Sequence, residues 1–185
     1  MSETLELGGR RIEVRPLTRG DRAALELFAV EVPAHDLLFL DRDIRHPKVV
    51  EAWLAAGEAG DVRSLVALEG GRIVATTASI RDPLSWSRHV CELRLVVLPE
   101  ARGIGLGRAL LDRCVSRAVE AGAAKLVARM TSDQAGAITL FEETGFRGEA
   151  LLAAHVRDDA GTPYDLAILA LDPQREAARQ AAFGE

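Results

Sequence analysis

Residues 90–98 form a nearly continuous apolar run, broken only by Glu92 and Arg94, that passes through Pro99 into a turn with glycine at 103, 105 and 107. A run of this kind suits a central strand covered on both faces. After the turn, Leu106, Leu110, Cys114 and Ala118 recur at helical spacing to about Ala121, and Gly122 stands where a helix C-terminus takes a glycine. Residues 125–130 read as the next strand. Strand, helix and strand in so short a span make a βαβ unit, with parallel strands and a right-handed connection.

Glycines at the mouth of a helix that directly follows a buried strand leave several backbone N–H groups without intrahelical partners and unshielded by side chains. Such a nest binds anions, and the positive end of the helix dipole favours a diphosphate. A mononucleotide P-loop is disfavoured, because Arg108-Ala109 stand where Lys followed by Ser or Thr is needed. The dinucleotide fingerprint GxGxxG does not match either, and the unit follows an antiparallel hairpin in mid-chain.

The flanks give the rest of the sheet. Residues 12–16 alternate as a first strand, and Leu25, Phe28 and Ala29 mark a helix after Asp21. A second helix runs through Val49, Trp53 and Ala56 to Gly57 and Gly60, with residues 33–47 irregular between the two. Residues 64–68 and 73–80 flank Glu69-Gly70-Gly71-Arg72, a hairpin signature. A helix over 134–143, stopped by Gly145, precedes strands over 146–155 and 164–171 joined by the turn at 158–163. The expected class is α/β (α+β): a mixed central sheet of about seven strands flanked by about four helices.

Composition narrows the partners. With 23 Lys+Arg against 28 Asp+Glu, and a formal charge of −5, the chain lacks the basic surface that nucleic acids require. No apolar run reaches the roughly 18 residues of a membrane span, and the N-terminal residues lack the plan of a signal peptide, so a cytoplasmic protein off the membrane is expected. Cys91 and Cys114 lie in apolar segments without metal-ligand spacing and read as reduced core thiols, so no metal is expected. At 185 residues, one domain over 1–172 with a charged, alanine-rich helical tail over 173–185 is favoured.

The stretch Val97-Leu98-Pro99-Glu100-Ala101-Arg102-Gly103-Ile104-Gly105-Leu106-Gly107-Arg108 resembles the GCN5-related N-acetyltransferases (GNAT). Their hallmark is Gln or Arg, two residues, Gly, one residue, then Gly or Ala, met here by Arg102, Gly105 and Gly107. Ala137-Ile138-x-Leu140-Phe141-x-x-x-Gly145-Phe146 is similar to the family's downstream helix and turn. The resemblance covers roughly residues 64–171. It implies an acetyltransferase using acetyl-CoA or another short acyl-CoA, on a fold whose central parallel strands splay apart. The diphosphate would be held by Arg102, Gly103, Ile104, Gly105, Leu106, Gly107 and Arg108. Pantetheine would pair with backbone around Leu95, Val96 and Val97, a form of strand addition.

Gln134 stands where many relatives carry a cofactor-touching Asn, and Phe141 where many carry a Tyr that protonates the departing thiolate. Glu92 matches a glutamate of many relatives and is the candidate general base for a primary amine; the competing reading pairs it with Arg94 or a neighbouring arginine. Tyr164 is a candidate substitute acid or a packing residue. His89 and His155 read as strand-end imidazoles. Trp53 and Trp86 are candidate walls of an acceptor pocket or packing residues. The resemblance implies direct transfer of acetyl to a small-molecule or peptide amine, with an acyl-CoA sensor as the alternative that Phe141 raises. Residues 19–57 and 156–165 would shape the acceptor site, where Asp36, Asp41, Asp43, Asp158 and Asp159 are candidates to attract a cationic amine. Exposed sheet edges allow a homodimer.

Overall fold

The computed structural model describes residues 2–177. Its strands are β1 (Glu3–Leu7), β2 (Arg10–Pro16), β3 (Val62–Glu69), β4 (Arg72–Ile80), β5 (Val90–Val97), β6 (Lys125–Thr131), β7 (Arg147–Arg157) and β8 (Pro163–Leu171). They form one sheet in the order β1-β2-β3-β4-β5-β6-β8-β7. The helices are α1 (Arg22–Glu31), α2 (Pro47–Ala59), α3 (Leu106–Glu120) and α4 (Ala135–Glu143). Residues 173–177 are helical, and the rest of the tail expected over 173–185 lies outside the described residues.

The sheet has eight strands rather than about seven, because the chain opens on a hairpin and not on a single strand. Gly8 and Gly9, at φ 56° and 74°, make the β1–β2 turn. The edge position explains why the pattern is weak: only Leu5 and Leu7 of β1 touch the core. The β3–β4 hairpin uses the same device at Gly70 and Gly71, φ 57° and 85°. In α2, Pro47 occupies the first turn, the His46 ring accepts the Lys48 N–H at 3.2 Å, and Gly60 closes the end at φ 86°.

The helices sort onto two faces. α1 and α2 pack through Leu25, Phe28, Val50 and Leu54 against Val66, Ile73 and Val96. On the other face α3 and α4 pack through Leu111, Cys114 and Phe141 against Cys91, Leu93, Leu126 and Ala128. Residues with odd numbers on β5 thus serve the α3 face, and those with even numbers the α1–α2 face. Glu92 and Arg94 therefore stand on the α1–α2 side, beside Val96.

The site is made by a failure of pairing. β5 and β6 are parallel neighbours at Val90–Lys125, Cys91–Leu126 and Glu92–Val127, and pair no further. Beyond that point β5 stays with β4 as far as Ala75–Val97, while β6 stays with β8 as far as Thr131–Leu166. The two strands diverge, leaving a wedge between their C-terminal halves.

Candidate active site

At the top of the wedge the chain turns from β5 into α3. Arg102 N–H donates to the Pro99 carbonyl at 3.2 Å, and the next backbone N–H to find a protein acceptor is that of Ala109, bonded to Gly105 at 3.0 Å. The intervening N–H groups of residues 103–108 have no protein acceptor among the described residues. Positive φ at Gly103 (75°) and Gly105 (85°) turns them in this way. Ile104 and Leu106, on either side of Gly105, pack into the core formed with β1 and β2. A Cβ on Gly8 would stand 2.8 Å from Ile104 Cγ2, so the β1–β2 turn needs its glycine to seat that side chain. With both apolar side chains anchored, the backbone is left to face the groove. The donor set fits a diphosphate.

Arg102 locks this loop to the strand it leaves. Its Nε and Nη2 donate to the Val97 carbonyl at 3.0 and 2.8 Å, and Nη2 also meets Asp36 Oδ2 at 2.5 Å. Arg108 Nη1 donates to Thr144 Oγ1 at 3.2 Å and joins α3 to α4. Below the loop lies a groove of about 750 Å³, lined by Leu95, Val96 and Val97 of β5, by Arg129 of β6, and by Gln134, Leu140 and Phe141 at α4. Gly107 lines it as well, and a Cβ there would lie 3.1 Å from Leu140 Cδ2. Phe141 is 4% exposed and packs edge-on to Phe146, ring centres 5.1 Å apart.

A short 3-10 turn, Ala34–Leu37, crosses the groove. His35 and Asp36 both line it; His35 Nε2 lies 3.0 Å from Asp133 Oδ2 on one bank, and Asp36 reaches Arg102 on the other.

Glu92 stands at the base of the wedge within a ring of four charges. Its Oε1 accepts from Arg94 Nε at 2.7 Å and from Arg129 Nη2 at 2.9 Å, and its Oε2 accepts from Arg129 Nη2 at 2.8 Å. Asp41 closes the ring, with Oδ2 accepting from Arg94 at 2.7 Å and Oδ1 from Arg129 at 2.8 Å. Glu92 thus has the ion-pair partners of the competing reading, one on its own strand and one on β6. Burial raises the Asp41 carboxyl, but the Arg129 and Arg94 guanidiniums outweigh it and hold the group below the ordinary carboxylate value. Asp41 is the more open of the two acids, its side chain 54% exposed against 22% for Glu92.

Several candidates fall outside the groove. Tyr164 is the second residue of β8, donates to Asp158 Oδ2 at 3.2 Å, packs edge-on to His35, and does not line the groove. Trp86 is 97% exposed on the β4–β5 connection and does not line the groove, whereas Trp53 lines a second cavity with its indole N–H on Ser64 Oγ at 2.9 Å. His89 gives its carbonyl to Ala124 and Lys125 N–H groups, a strand-end role. Cys91 and Cys114 are free and buried; burial pushes the Cys91 thiol up to about 11. Arg129 and His35 were not legible as site residues. Arg129 shares a face of β6 with Val127 and alternates with the buried Ala128 and Met130, which fixes its face but not its partners.

A family model described as "Acetyltransferase (GNAT) family" matches residues 23–146. The L-amino acid N-acyltransferase MnaT of Escherichia coli (strain K12) is 34% identical over 97 residues, 51% of this chain and 56% of the relative, so the match spans little more than half of that protein. Among solved structures, a ribosomal-protein-alanine N-acetyltransferase from Brucella melitensis superposes with a TM-score of 0.74 at 26% identity, covering 86% of this chain and 98% of that one. The yncA protein of Salmonella typhimurium, solved with its cofactor acetyl-CoA, superposes with a TM-score of 0.72 at 26% identity, covering 87% of this chain and 93% of that one.

Proposed function

Since the chain belongs to the GNAT acetyltransferase family, we propose that it is an N-acetyltransferase that moves an acetyl group from acetyl-CoA to a small primary amine. The observation that carries this reading is the row of unpartnered N–H groups at residues 103–108, set above a wedge that exposes the edge of β5. Those amides would hold the diphosphate, with Arg102 and Arg108 bracing the loop from either end. Backbone at Leu95, Val96 and Val97 offers amide pairing to pantetheine. Gln134, which lines the groove, would make a side-chain contact, and Phe141 and Leu140 would supply an apolar wall.

Acetyl-CoA supplies, when bound, an acyl carbon already activated for attack. The amine nitrogen bonds to that carbon, the C–S bond breaks with its electron pair going to sulfur, and a proton leaves the nitrogen. A β5 backbone N–H near Leu95 or Val96 would hold the negative charge that develops on the acyl oxygen. Glu92 and Asp41 each have both oxygens on guanidinium donors, and Glu92 is the more buried of the two. Its role in this reading is to hold Arg94 and Arg129 in place, while the proton passes to water on the side of the more open Asp41. Phe141 has no proton to give, which a leaving thiol with a pKa near the ~8.5 of cysteine tolerates. The name of the Escherichia coli relative makes α-amino acids the first acceptors to try.

The test is calorimetric titration with CoA, followed by turnover of acetyl-CoA with a panel of primary amines. Binding with acetylated product supports the enzyme. Tight binding without turnover on any amine would point instead to an acyl-CoA sensor, and no binding would remove both.

A further inference from the structure

Beside the groove lies a second cavity of about 410 Å³, walled by Leu40, Ile44, Val49, Trp53 and Val96. Val96 lines both spaces. The charged ring divides between them: Asp41 and Arg94 line this cavity, and Arg129 lines the cofactor groove. The ring is therefore the common wall, and an amine held at Asp41 lies next to the wedge.

Trp53 has spent its N–H on Ser64, so it offers this cavity an apolar ring. Arg94 has spent Nε on Glu92 and Nη2 on Asp41, and its Nη1 has no protein acceptor among the described residues. A guanidinium with one free edge in a mostly apolar cavity favours an anionic oxygen. The ring itself is neutral, with two guanidiniums and two carboxylates. A zwitterion keeps that balance, whereas a bare ammonium adds an uncompensated charge beside Arg94 and the nearby Arg42.

We propose that this cavity is the acceptor site for an α-amino acid with an apolar side chain, whose carboxylate binds Arg94 Nη1, whose ammonium meets Asp41, and whose side chain lies against Trp53. The assignment rests on the acetyltransferase reading and narrows its substrate to a class.

Binding can be read without turnover. In a Trp86→Phe background, Trp53 is the sole tryptophan, since the chain has two. L-leucine should shift its emission saturably, and isoamylamine, which lacks the carboxylate, should need roughly a hundredfold higher concentration, the loss expected for a charge-assisted hydrogen bond. Arg94→Met should reduce that preference to within about threefold and leave CoA affinity unchanged. In the wild type, kcat/KM with acetyl-CoA should rank L-leucine and L-methionine above isoamylamine and above L-glutamate. Equal response to leucine and isoamylamine in the unsubstituted site, or a preference for glutamate, would overturn the assignment and leave an acetyltransferase with another acceptor. Failure to bind CoA would instead overturn the reading on which it rests.

Discussion

Replacing Gly105 by alanine isolates what the turn at the head of α3 contributes. Gly105 has φ +85° and its missing Cβ would meet nothing within 4 Å, so the substitution adds no clash and costs only backbone strain, about 1–2 kcal/mol for an L-residue in the left-handed region. Gly70, at φ +57° in the β3–β4 hairpin with the same open surroundings, supplies the control. For a chain of this size each kcal/mol lowers Tm by about 2–4 °C, so both variants should melt a few degrees below the wild type. They should part on ligand binding. If Gly105→Ala relieves its strain by leaving the left-handed region, the N–H groups beside it turn away from the groove. Each charge-assisted hydrogen bond lost is about 1.5–3 kcal/mol, so the Kd for CoA should rise at least about tenfold. Gly70→Ala should bind CoA as the wild type does. Melting without ligand and calorimetric titration with CoA give both quantities. Unchanged affinity in Gly105→Ala, or an equal loss in Gly70→Ala, would refute the argument that the backbone of this turn grips the diphosphate.

Glu92→Gln should lower kcat about tenfold, as one charge-assisted contact in the ring weakens, while keeping the shape of the pH–rate profile and the KM for acetyl-CoA; loss of the acidic limb would make Glu92 the direct base. Arg15, donating to Asp21 at 2.6 and 2.8 Å, holds that carboxyl down from 3.8 to about 2, against a smaller opposing effect of burial. The folded value is depressed, so the stabilisation is complete above pH 4 and is lost as pH falls towards 2. Asp21→Asn should cost about 2 kcal/mol in urea unfolding at pH 6 and roughly half that at pH 3; a pH-independent cost would contradict the ion pair. Cys91, with its thiol pushed up to about 11, and buried Cys114 should resist a disulfide reagent at pH 8 until denaturant is added; rapid labelling of the native protein would show those thiols to be open.

Local pattern reached far into the fold because the elements that carry it are strongly biased. Glycine pairs at 70–71 and the apolar period of α3 are properties of short segments, and the structure has the turn and the helix where those residues stand. β1 is the counterexample. It lies at the sheet edge with two residues on the core, so too little of its side-chain pattern reflects burial. The glycine turn carries its own chemistry, since unpaired N–H groups follow from backbone angles that few residues besides glycine adopt.

The sequence alone therefore determined the βαβ unit, its glycine mouth and the class of ligand that mouth suits, because these depend on neighbours along the chain. Tertiary structure decided the rest. Arg129 and Asp41 are 88 residues apart, and Asp41 is 53 from Arg94, yet all three join one ring with Glu92. Both guanidiniums reach both carboxylates, so which acid stays open to an acceptor depends on how deep in the wedge it stands. That follows from where β5 and β6 part, and a divergence between two strands is a property of the assembled sheet that neither strand encodes by itself.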